Sequence, residues 1–189
     1  MKTFSDHQPA FYTAVTNNQV DRIIHCSSQF ESRAHVFRKV PVNMEILWNK
    51  GIDECAPKTP NDNLVRKPII STQYRGTREG CVTRDIVLVS CPSLDSGLDW
   101  IDSFKKETRL RDASPREVFA ICRDLVDSSV LDLRKDGDYC VCSPIPSTFG
   151  GRENHMCSVC YKPGSCIVDL LPFNPLRPNA WYAFVVNNR

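Results

Sequence analysis

No stretch of the chain approaches the roughly 20 consecutive apolar residues that a membrane-crossing helix needs. The opening residues carry Asp6, His7 and Gln8 where a secretory leader would have its apolar run. No transmembrane segment is therefore expected, and the chain reads as an intracellular, cytoplasmic protein. Also lacking are a phosphate-cradling glycine loop, a serine nucleophile elbow and a paired-carboxylate motif, the local patterns that nucleotide binding, acyl transfer and acid–base hydrolysis require. Histidine is scarce, with only His7, His25, His35 and His155 available as a base for a cysteine nucleophile. Beside 10 cysteines some such pair is bound to look suggestive, so an enzyme is not expected. Charge of one sign is not concentrated either. The 24 basic and 22 acidic residues are interspersed, the net charge is +2, and no basic stripe alternates with aromatics, so a nucleic-acid ligand is not indicated. There is no internal repeat and no low-complexity segment.

What the chain does have is length for one ordinary core plus a small module, and cysteine. We expect an α+β domain over residues 1–129 and a cysteine-rich hairpin and zinc-knuckle module over residues 130–189. Five of the 10 cysteines, Cys140, Cys142, Cys157, Cys160 and Cys166, fall in the second part. In a reducing compartment such clustering suggests metal or buried thiols, whereas a secreted chain would favour disulfides. Cys157 and Cys160 are spaced as a C-x-x-C knuckle, which lets two thiolates face one tetrahedral ion. His155 or Cys166 offers a further ligand. Cys140 and Cys142 are expected on a strand, where a period of two turns both sulfurs to one face. Zn²⁺ held by four of these six residues would fold the C-terminal part and catalyse nothing. The alternative is a set of reduced, buried thiols without metal.

Local patterns give the elements. Residues 1–34 suggest one or two short amphipathic helices, with His25 and Cys26 as an ordinary structural pair. The segment before Pro41 is expected to be extended, with a helix beginning after it; residues 53–63 read as a loop. Residues 69–74 and 81–91 read as an antiparallel strand pair, the second being rich in β-branched residues. Leu98, Trp100, Ile101 and Phe104 fit a short helix or packed loop. Ser114-Pro115-Arg116-Glu117 is a capping box with proline at the first helical position, and Val118, Phe119, Ile121, Cys122 and Leu125 then form one apolar face. Cys122 on that face reads as a small buried hydrophobe. Residues 130–133 and 139–142 flank Asp136-Gly137, a hairpin signal, and the run from Trp181 to Val186 reads as a strand or short helix packing back on the body.

Two resemblances add to this. Leu47-Trp48-Asn49, followed 36 residues after the tryptophan by Arg84-Asp85-Ile86-Val87-Leu88-Val89, resembles the tryptophan and arginine-aspartate strand of START lipid-binding domains, over about residues 36–91. That resemblance implies a curved antiparallel sheet with helices enclosing an apolar lipid cavity. Arg152 to Cys160, within about residues 139–166, is similar to the basic-histidine-cysteine core of FYVE-type zinc fingers, which implies zinc and a lipid phosphate held by positive side chains. The expectation is therefore a non-enzymatic, zinc-stabilised interaction or regulatory protein with a protein partner, whether a cellular adaptor or an accessory factor of a virus or pathogen. A START-like lipid-binding or lipid-sensing protein is the alternative.

Overall fold

The computed structural model describes residues 21–23, 25, 33–55, 63–66, 79–90, 97–127, 139–149, 152–162, 165–172 and 180–186. Eight strands form one mixed, mostly antiparallel sheet: β1 (Ala34–Asn43), β2 (Asn63–Arg66), β3 (Cys81–Ser90), β4 (Arg111–Asp112), β5 (Tyr139–Phe149), β6 (Arg152–Lys162), β7 (Ser165–Pro172) and β8 (Ala180–Val185). Their order is β1-β3-β8-β5-β6-β7-β2, with β4 paired to β8 off that path. The β5–β8 and β2–β7 pairs are parallel and the others antiparallel. Helices α1 (Trp48–Glu54) and α3 (Pro115–Asp127) cover one face, and α2 (Gly97–Thr108) covers the other. The fold is α+β, as expected. The sheet takes strands from both sides of residue 129, because β8 lies between β3 and β5.

Covering both faces explains the strand sequences. In β8 every residue is buried, with Trp181, Ala183 and Val185 directed to the α1/α3 side and Tyr182 and Phe184 to the α2 side. A strand buried twice has no polar alternation to show. On the α2 side Trp100 stacks on Phe104 at 5.7 Å between ring centroids, and Phe104 meets Phe184 at 5.4 Å. Ile23, in a helical stretch, is fully buried on the same side. On the opposite side Trp48 meets Phe119 edge-on at 5.2 Å, which ties α1 to α3. Gly51 allows that approach, since a Cβ there would lie 3.0 Å from the Phe119 ring.

The helix at residues 115–126 is found where the capping box placed it. Ser114 N–H donates to Glu117 Oε2 at 2.7 Å, and Glu117 N–H donates back to Ser114 Oγ at 3.4 Å. Around Pro41 the structure differs from expectation: β1 runs through the proline to Asn43, and α1 starts only at Trp48. An edge strand tolerates a residue that cannot donate to a ladder, and β1 is the edge of the strand order. A bulge between Phe37 and Val40 puts Lys39 at a φ of 53°, where its N–H donates to Asp85 Oδ1 at 2.8 Å. Residues 53 and 54 close α1 and do not begin a loop. The expected strands at 69–74 and 130–133, and the turn at Asp136-Gly137, lie outside the described residues, as does Cys26. No described helix is long and apolar enough to cross a membrane.

Candidate functional site

Strand parity decides which cysteines can meet. β5 and β6 pair antiparallel with Cys140 opposite Cys160 and Cys142 opposite Ser158. Cys140 and Cys142 do share one face, the α2 side, as the period of two requires. Residues 157–160 are not a knuckle but the middle of β6, and positions three apart on a strand point to opposite faces. Cys160 accordingly joins Cys140 and Cys142 on the α2 side, while Cys157 lies on the α1/α3 side with Cys166. His155, half-buried, shares the parity of Cys157 and sits opposite Ser147 and Pro172. The six expected metal ligands are thus divided between the two faces. Cys140 and Cys160, with Cα atoms 4.0 Å apart, are joined in a disulfide. As they stand these six side chains do not fit one tetrahedral ion, and among the described residues no group of three or more His, Cys, Asp or Glu is placed to hold a metal.

The α1/α3 side assembles a different cluster. Cys55 just after α1, Cys122 on α3, Cys157 on β6 and Cys166 on β7 are all fully buried in one apolar core with Tyr161. The Tyr161 hydroxyl donates to the Cys55 carbonyl at 2.8 Å, and Cys55 Sγ donates to the Ile52 carbonyl at 3.0 Å. Cys166 Sγ lies 4.0 Å from the Cys55 carbonyl oxygen. The hydrogen bond with Cys166, then burial and the neighbouring thiols, push the Cys55 thiol well up. Burial pushes up Cys122, Cys157 and the Tyr161 hydroxyl in the same direction. These groups stay protonated at neutral pH and pack as small hydrophobes with weak donors. For Cys122 this is the role its place on an apolar helix face suggests. Nothing local in the sequence marks Cys55 as its neighbour, because the two are brought together only by the docking of α1 on α3.

A second buried chemistry surrounds Glu117, whose side chain is fully buried. Arg111 grips it with two hydrogen bonds, at 2.9 and 2.5 Å, and Arg84 Nε lies 3.4 Å away. Burial alone would raise the carboxyl, but the Arg111 hydrogen bonds, the Ser114 N–H and the Arg111 charge outweigh it and hold Glu117 below the usual range. Arg84, Asp85 and Trp48 each have a structural partner nearby. Arg84 pairs with Glu117 and with Glu79 at 2.8 Å, Asp85 supports the β1 bulge, and Trp48 lies under the Arg116 guanidinium at 5.8 Å. Arg84 and Trp48 thus contact the first turns of α3, whereas Asp85 serves β1.

Compared with protein-family models, with curated protein sequences and with solved structures, the chain matches none.

Proposed function

We propose that the chain is a non-enzymatic interaction or regulatory protein that works through its surface and recognises a protein partner. The observation that carries this reading is the placement of its reactive groups. Cys55, Cys122 and Cys157 are buried and kept protonated, Cys166 is buried beside them, and Glu117 is held by arginines and a helix cap. A cysteine nucleophile needs the opposite, a thiolate within reach of a base. His35, whose ring lies 5.0 Å from Trp181, is held neutral first by burial and then by the Arg33 charge.

Zinc belongs to this proposal through the expected ligands Cys140, Cys142, His155, Cys157, Cys160 and Cys166, four of which would have to come to one face of the sheet to hold an ion. Elemental analysis giving about one zinc per chain, with melting lowered by chelation, supports that part; metal-free protein indifferent to chelators removes it. The reading as a whole is tested by native mass spectrometry and affinity purification of the full chain from cells of its source. A stoichiometric protein partner, with its footprint mapped by hydrogen exchange, is the expected result. A co-purifying sterol or phospholipid instead would replace it with the lipid-binding reading, and a thiol alkylated far faster than a free cysteine peptide would replace it with an enzyme.

A further inference from the structure

The connection between α2 and α3 passes from one side of the sheet to the other, and β4 is the paired part of it. Arg109, at a φ of 58°, closes α2 with its N–H donating to the Lys105 carbonyl at 2.8 Å. β4 then lies against β8, with Arg111 opposite Val185 and Asp112 opposite Phe184. Neighbours on a strand point to opposite faces, so Arg111 goes with Val185 to the α1/α3 side and Asp112 with Phe184 to the α2 side. Each is engaged by the helix it faces. Lys105 Nζ, in the last turn of α2, lies 2.8 Å from Asp112 Oδ2 and 3.7 Å from Asp102 Oδ1, while Arg111 holds Glu117 in the first turn of α3. Asp112 Oδ1 is buried and has no hydrogen-bond partner among the described residues, so Lys105 is the cation that balances this carboxylate on the α2 side. Arg111 feels both helices. It is held above its usual range first by its hydrogen bonds to Glu117 and then, against burial, by the charges of Glu117, Glu79 and Asp112.

We propose that β4 is a coupling strut through the sheet: removing the Lys105 charge on the α2 side loosens the Arg111–Glu117 clamp, and with it the first turn of α3, on the opposite side. Without Lys105 the Asp112 carboxylate, 21% exposed, is left without its cation, which favours turning it out to water. β4 has only two residues, so Asp112 does not shift without carrying Arg111 along. The hydrogen bonds from Arg111 to Glu117 are the ones that lengthen. The two helices thereby sense each other although the sheet separates them, through a contiguous set of contacts and not at a distance.

The test is amide hydrogen exchange of the full chain, followed by NMR at the Val118 amide, which donates to the Ser114 carbonyl at 3.0 Å, and at Phe119 beside it. Lys105→Met is expected to speed exchange there at least about twofold, the lower end of the coupling between members of one ionic network. Lys106→Met removes the same charge from an exposed neighbour on α2 and is expected to leave these amides unchanged. In a Glu117→Gln background, where the clamp is already weakened, Lys105→Met is expected to add no further acceleration. Rates are read relative to β6 and β7 amides such as Val159 and Val168, so a general loss of stability does not count. The proposal is overturned if Lys105→Met leaves the Val118 and Phe119 amides unchanged, if Lys106→Met speeds them as much, or if the acceleration survives in Glu117→Gln. Should Lys105→Met fail to fold, Lys105→Gln is read against the same outcomes.

Discussion

Replacing Glu117 by glutamine removes one charge from a fully buried site while keeping its shape. Wild-type Glu117 accepts from Arg111 twice, from the Ser114 N–H once, and lies 3.4 Å from Arg84 Nε. Breaking a buried ion pair costs about 3–5 kcal/mol when the remaining charge is stranded. Here Arg84 and Arg111 keep 26% and 38% exposure and can turn to water, so about 2–3 kcal/mol is expected. In a chain of this size that lowers the melting temperature by about 4–12 °C. The pH dependence is the sharper signature. The folded-state pKa of Glu117 lies below its ordinary value of 4.5, so its stabilisation is complete above that pH and fades as acid protonates it. Urea denaturation of wild type and Glu117→Gln should show a stability gap at pH 7 that narrows below pH 4.5, with unchanged m-values. A gap that persists undiminished at pH 3, or no gap at neutral pH, would refute the argument that the carboxylate charge clamps α3 to the Arg84 strand.

Phe119→Asp should cost a few kcal/mol, because Phe119 is 2% exposed against Trp48 and Gly51 and an aspartate there would be buried without a partner; unchanged melting would disprove the packing of α1 on α3. His35 titrates at about 4 instead of 6.5, first through burial and then through the Arg33 charge. Protons therefore bind the unfolded chain preferentially between those two values, and stability should fall by about 2–3 kcal/mol as pH drops through that window. His35→Gln should lack that part of the loss in a pH series of denaturation curves.

The α3 capping box was legible because all its partners lie within four residues, and the apolar face after it has a helical period that survives any tertiary context. The cysteine site was not, and the reason is geometric. C-x-x-C brings two sulfurs together in a turn or on a helix; on a strand it sends them to opposite faces, and β6 carries buried residues on both, so no alternation betrays it. Cys140 and Cys142 were correctly placed on one face, yet their partner across the ladder depends on a register fixed by β5–β6 pairing. Pro41 looked like an element boundary because its tolerance at a sheet edge is visible only once the strand order is known. Cys55 meets Cys166 across 111 residues, a distance at which sequence pattern is silent.

The position of β8 has a consequence for how the sheet is held together. It follows every other described strand in the chain, yet among them it is the sole bridge between the β1–β3 pair and the β5–β6–β7–β2 group. Without it the β1–β3 and β5–β6–β7–β2 groups would each leave an inner edge unpaired, a template for pairing with another chain. Closing the sheet then waits on contacts between residues nearly a hundred positions apart, such as Val89 with Tyr182, a topology that slows folding and prolongs the exposure of those edges. The run from Trp181 to Val185 thus acts as a keystone carrying both halves of the arch.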